Sequence, residues 1–293
     1  MSIAVVTDST AYLPRELLAA AASRITVVPL HLVVGGDDLR ERVDVSVADL
    51  AAALRTFTPV STSRPTPAAF LDCYEQLAAE GATGVVSVHL SSDMSGTVQS
   101  ARLAAGQAPL PVEVVDSRSL GMAMGFAVLS AAQTAAEGGS VAEVATVATA
   151  RAAGATVAFY VDTLEHLRRG GRIGAASALL GSALAIKPIL TLRAGSIEPL
   201  ERVRTSTRAL ARLAELAVDA AKRATTLVDV AIQHLDSASR AEALAEQLRR
   251  ALPADRVGEL VVGELGAVVG AHVGPGTLAV VVSPRLAAAV VER

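Results

Sequence analysis

The stretch HLSSDMSGTVQSA, His89–Ala101, carries five hydroxyl residues and one glycine, with no lysine or arginine before Arg102. It follows the apolar run GVVSV, so a strand here feeds a helix through a loop of small polar groups. Amides at a helix start favour an anion or carboxylate, Ser95 can add a hydroxyl donor, and Gly96 lets a ligand approach the backbone. Serine is also a favoured helix cap, so Ser95 can be a cap, a ligand donor or both. TSRPTP at Thr62–Pro67 repeats the arrangement. Thr66 reads as the cap of a helix begun by Pro67, whereas Thr62 and Ser63 stand too early to cap and are either surface loop or ligand contacts. His272 lies among small residues in GAHVGPGT. A lone histidine is usually structural, but the surrounding glycines let something come close to the backbone.

Two arginine groups accompany these residues. LRRGGRIG holds Arg168, Arg169 and Arg172, and RVRTSTR holds Arg202, Arg204 and Arg208. Each is solvated surface, or together they form a local cationic patch for phosphate or an acidic partner. Several chemistries fall away. There is no phosphate-cradling G-x-x-x-x-G-K-[ST] loop, the five histidines show no H-E-x-x-H spacing, and one cysteine cannot build a thiolate zinc site. DMSGT is not a G-x-S-x-G elbow, and the G-x-G-x-x-A of Gly274–Ala279 precedes a strand rather than a helix. A phosphotransferase using Asp8 or Asp116 at strand ends is the rival reading, without a phosphate loop or an acidic metal cluster to support it. No catalytic or metal-binding residue is therefore assigned. Hydroxyls and one imidazole amid apolar sequence suit holding a small polar head and burying an apolar body.

The elements that must position these groups follow from the patterning. The 293 residues are 52% hydrophobic but only 2% aromatic, with a net charge of −3, which speaks against a nucleic-acid partner. Cys73 is alone, and nothing resembles a secretion signal, so a cytoplasmic location is the default. Two uncharged stretches, Ser119–Ala136 and Leu265–Pro284, read as buried core because the first carries Ser130, Gln133 and Thr134 and the second a helix-breaking GPG. Strands IAVVTD, ITVVPLHLVV (Ile25–Val34), GVVSVHL and VEVVDS alternate with helices, which predicts a mostly parallel sheet flanked by helices. GGDD reads as a turn. Beyond VAFYVD the pattern changes to a helix AASALLGSALAI, strands KPILTLR and IEPLERVR, two long helices, and strands VGELVVGEL, AVVGAHV and LAVVVS. The expected fold is α/β: an N-terminal mostly parallel domain over 1–155 and a C-terminal α/β domain with a mixed sheet over 156–293.

These segments together resemble the DegV family of bacterial fatty-acid-binding proteins. The matches run from VVTDSTAYLP through TSRPTP, HLSSDMSGTVQSA, VVDSRSLGMAMG, LEHLRRGGRIG, IKPIL at Ile186 and RTSTRAL to GAVVGAHVGPGTLAVVV. The resemblance implies that one long-chain fatty acid lies between the domains and that the protein is a carrier rather than an enzyme. It implies that Thr62, Ser95 and His272 hold the carboxyl group, with Ser63 and Gly96 beside them. It also implies a separate fatty acid kinase as partner, faced by Arg172 and Arg204, with transient membrane contact allowed and no further cofactor. Arg64 and Thr66 depart from the usual T-S-Q-P-S, a change that touches the pocket rim or a partner contact. The cradle is expected to offer neutral donors rather than an arginine salt bridge.

Overall fold

The computed structural model describes residues 2–21, 25–56, 58–179 and 187–287. The first part of the chain forms β1 (Ile3–Asp8), α1 (Arg15–Ala19), β2 (Ile25–Val28), β3 (His31–Val34), β4 (Asp37–Arg40), α2 (Val47–Arg55) and β5 (Val60–Ser63). It continues with α3 (Pro67–Ala79), β6 (Gly84–His89), α4 (Thr97–Ala105), β7 (Val112–Asp116), α5 (Met122–Ala136) and α6 (Val141–Gly154). The remainder forms β8 (Thr156–Tyr160), α7 (Glu165–Arg169), β9 (Lys187–Arg193), β10 (Ser196–Val203), α8 (Ser206–Arg223) and β11 (Val228–His234). It ends with α9 (Ala238–Ala251), β12 (Val257–Glu264), α10 (Ala267–Val273) and β13 (Leu278–Pro284).

Three sheets result. A parallel sheet has the order β2-β1-β6-β7, a mixed six-stranded sheet the order β10-β9-β8-β13-β11-β12, and a small antiparallel sheet the order β4-β3-β5. The α/β class with a parallel first sheet and a mixed second one is therefore the observed architecture. The passage from one sheet to the other falls at Ala155, between α6 and β8. The core does not stop there: Met122, Phe126 and Val128 of α5 and Val144 and Ala148 of α6 share one cluster with Val5 and Val88 of the first sheet and Ala231 and Val281 of the second. The uncharged segment Ser119–Ala136 is this sandwiched helix, buried on nearly all sides. Among the described residues no helix is long and apolar enough to cross a membrane.

The structure corrects four local readings. Ile25–Val34 is two strands in different sheets, because Pro29 offers no amide to a ladder and Leu30 turns the chain, held by Ser9 Oγ on its amide (3.0 Å). GGDD is a turn only at its glycines, Asp37 and Asp38 opening the exposed strand β4. In AASALLGSALAI the described part is a 3-10 turn over Gly174–Leu179, and residues 180–186, including the Ile186 of IKPIL, lie outside the described residues. AVVGAHV is not a strand but helix α10. Its valines favour strands, but side chains from the other half of the molecule overrule them. Glu41 Oε1 accepts the amide of Val268 at 2.8 Å, and the Tyr12 hydroxyl accepts that of Val269 at 3.1 Å while donating to Glu41 at 3.0 Å. The first-turn amides are thus satisfied from outside the helix.

Candidate functional site

Thr62 of β5 and His272 in the last turn of α10 meet across the molecule, with Thr62 Oγ1 and His272 Nε2 2.8 Å apart. Together with Ser63, Ser95, Gly96 and Arg172 they line one cleft of about 350 Å³, whose remaining wall includes Leu30, Leu90, Leu120, Ile197, Val269 and Val273. The cleft draws its polar end from four separate segments and its apolar wall from the loops after β2, β6 and β7, from β10 and from α10.

Burial, reinforced by the nearby Arg172 charge, pushes the His272 imidazole down to about 4. The ring is neutral at physiological pH and carries one N–H. Its Nδ1 is buried without a hydrogen-bond partner among the described residues and lies over Gly170, where a β-carbon would collide with it. An unmet buried donor costs more than an unmet acceptor, so the proton belongs on Nε2. His272 then donates to Thr62, and the Thr62 hydroxyl proton is free to point at whatever enters the cleft. Gly170 does more than permit this. Its carbonyl accepts Arg172 Nη1 at 2.7 Å, while Arg172 Nε donates to Met94 O at 3.1 Å.

The serine loop is mostly wiring. Ser91 Oγ donates to Gly195 O at 2.8 Å, Ser92 Oγ to Asp116 at 2.5 Å, and Asp93 takes Arg118 at 2.9 Å and Ser196 Oγ at 3.1 Å. Arg118 also donates to Ala194 O, so the loop is tied to the β9–β10 turn of the second sheet. Ser95 differs: its hydroxyl is 2.9 Å from Thr97 Oγ1 at the cleft, and the cap of α4 is Gly96, with no side-chain cap bond. Of the two roles the sequence allowed Ser95, capping falls away. Thr66 does cap α3, accepting the Ala69 amide at 3.2 Å.

Two features depart from expectation. The space over Gly96 is not left for a ligand but is occupied by the Arg64 guanidinium, which a β-carbon on Gly96 would strike. The rim is also not neutral, since Arg64 from one half and Arg172 from the other both line it. No described residue gives either an acidic partner, because other arginines absorb the nearby acids. Arg168 and Arg169, for example, both hold Glu165, at 2.7 Å each, and keep its carboxyl at about 2. Arg204 is exposed and does not line the cleft. It follows the far end of β10 from Ile197, about 20 Å away at the usual rise per strand residue.

Behind the head-group end, Leu120, Ile197, Val269 and Val273 lead into a second chamber of about 60 Å³ walled by Val157, Phe159, Leu192, Leu265, Ala279 and Val281, with Gln233 and Thr277 as its polar residues. No sequence signal marked these positions, which belong to strands and a helix whose alternation reads as ordinary core.

The rival chemistry finds no opening. Asp8, His89 and Ser87 line up like a nucleophile relay, with Asp8 Oδ2 3.1 Å from His89 Nδ1 and Ser87 Oγ 2.7 Å from Nε2. Tyr74 closes the far end by donating to Ser87 at 2.9 Å, and all four residues are wholly buried away from the cleft. Asp116 is engaged by Ser92 and by the Arg118 amide. Among the described residues no group of histidine, cysteine and acidic side chains could hold a metal ion.

Comparison with known proteins places the chain in a family. The model of the DegV family of uncharacterised proteins matches residues 2–285. The chain belongs to the DegV family. A DegV domain-containing protein of Streptomyces coelicolor is 53% identical over 97% of this chain and 99% of its own length. Among solved structures, a fatty-acid-binding DegV protein from Thermus thermophilus is 34% identical with a TM-score of 0.89, covering 97% of this chain and 100% of that one. A Bacillus subtilis DegV described as a fatty acid binding protein is 32% identical with a TM-score of 0.87, covering 97% of this chain and 99% of that one. The Thermus thermophilus and Bacillus subtilis proteins are both described by fatty acid binding.

Proposed function

We propose that this protein is a carrier that binds one long-chain fatty acid and presents its carboxyl group to a fatty acid kinase. Thr62, Ser95 and His272 hold the carboxyl, with Ser63 beside it and Arg64 covering Gly96, and the acyl chain runs inward past Leu120 and Val269. The observation that carries the reading is the Thr62–His272 pair, a neutral hydrogen-bonded cradle opening directly into an apolar interior. It is supported by the fatty acid binding described for the Thermus thermophilus and Bacillus subtilis relatives. In this reading the chain works as two units, 1–155 and 156–293, with the ligand between them. Arg172 marks the face at which an acyl phosphate forms, and the exposed Arg204 serves kinase docking. The protein acts in the cytoplasm, touching membrane only in transit.

Mass spectrometry of lipid extracted from the purified protein tests the first half. About one equivalent of long-chain fatty acid per chain is expected, and a folded preparation that neither contains nor takes up fatty acid refutes the carrier reading. For the second half, Arg204→Ala should leave fatty acid affinity intact and lower turnover by the kinase. An equal fall in both would place Arg204 in lipid binding instead.

A further inference from the structure

Among the described residues, one donor in the inner chamber has nothing to donate to. Of its two polar residues, Thr277 spends its hydroxyl on Gly274 O at 2.8 Å. Gln233 is 2% exposed, and its Oε1 accepts the Met122 amide at 2.9 Å at the start of α5. A backbone N–H can only donate, so this contact fixes which end of the amide is oxygen. The other end, Nε2, is buried and has no hydrogen-bond partner among the described residues. Buried polar groups are nearly always paired, and leaving one unmet costs free energy, so the amide lacks its counterpart. Water fills that role poorly, because a buried water needs two to four polar partners and the chamber walls are otherwise apolar.

We infer that Gln233 recognises an acceptor carried by the ligand's tail: the cleft takes long-chain acids bearing an in-chain oxygen, an oxo or hydroxy group, placed at the depth of this amide. The inference rests on the fatty acid reading above and specifies its substrate class. The chemistry ranks the two oxygens. A ketone accepts and asks for nothing in return, which matches a chamber whose free groups are N–H donors. A hydroxyl accepts equally well but brings a proton of its own, which must reach either Gln233 Oε1, already bound by the Met122 amide, or the Thr277 oxygen. An amide retained solely to hold the Met122 backbone would give no such selectivity.

The test is a positional series. Delipidated protein is titrated with stearate and with oxostearates whose carbonyl moves stepwise along the chain, by displacement of a fluorescent fatty acid. One position, or two adjacent ones, should bind about tenfold tighter than the others, the worth of one recovered amide–carbonyl bond. Hydroxystearates should peak at the same place and less strongly. Gln233→Leu should flatten the peak while stearate still binds. Should that variant fail to fold for want of the Met122 contact, Gln233→Met, which carries no donor and keeps a weak thioether acceptor at similar length, should flatten it too. An affinity that falls at every carbonyl position, or a peak that survives both substitutions, overturns the inference. Failure of stearate itself to bind would refute the fatty acid reading rather than this refinement of it.

Discussion

The depressed imidazole of His272 makes the stability of the apo protein depend on pH in a calculable way. Burial and the Arg172 charge bring the ring from 6.5 down to about 4 in the folded state, while the unfolded chain keeps the ordinary value. Between those two values the unfolded state binds more protons than the native state, so native stability falls as pH falls. At pH 4.5 the unfolded ring is almost fully protonated and the folded ring only about a quarter so, which amounts to a loss of about 2.5 kcal/mol relative to pH 7. Other groups titrate in the same range, and buried Glu41, raised by desolvation, acts with the opposite sign. The quantity to measure is therefore the difference between wild type and His272→Asn, each unfolded in urea at pH 7 and pH 4.5. The advantage of the wild type should shrink by about 2.5 kcal/mol on acidification. A bound carboxylate would hold the ring's proton, so fatty-acid-loaded protein should lose less. A difference that stays constant with pH would show that the ring is not buried and neutral, and with it would go the proton assignment that aims the Thr62 hydroxyl into the cleft.

Ser95→Ala should weaken fatty acid binding by roughly ten- to a hundredfold, the worth of a hydrogen bond to a charged group, and leave the melting temperature of the apo protein unchanged because α4 is not capped by Ser95. A large loss of apo stability would assign the hydroxyl to folding instead. Arg64→Gln should make fatty acid affinity less sensitive to salt, since an exposed guanidinium at the rim is screened within about 8–10 Å at physiological ionic strength. Identical salt slopes in the two proteins, measured by displacement between 20 mM and roughly 500 mM salt, would show that Arg64 stays in solvent.

Much of this organisation was legible in the sequence, for stated reasons. The βα alternation of the first half follows from short apolar runs ended by hydroxyl- and glycine-rich loops, and Thr62, Ser95 and His272 stood out as polar residues beside proline or glycine, with a cap as the other reading of Ser95. Elements fixed by distant partners were not legible. α10 reads as a strand until Glu41 and Tyr12, more than 220 positions earlier, supply acceptors for its first amides. Arg64 was read as rim or partner contact and does line the cleft, but nothing local says that its guanidinium will lie over Gly96. Gln233 sits in VDVAIQH, where a single amide in a buried strand gives no hint that one of its ends will be left unpaired.

The wiring of the serine loop limits how this protein and its relatives can drift. Ser91 and Arg118 lie so close to Gly195 that a β-carbon there would strike both. Positions 91, 118 and 195 are therefore not free to vary one at a time, although the first and last are 104 residues apart. A lineage that enlarges residue 195 must give up the serine or the arginine, and the β9–β10 turn cannot lengthen without pulling on the loop that carries Ser95. The tip of a hairpin, ordinarily among the most permissive places for insertion, is here bound to the evolutionary fate of the ligand cradle.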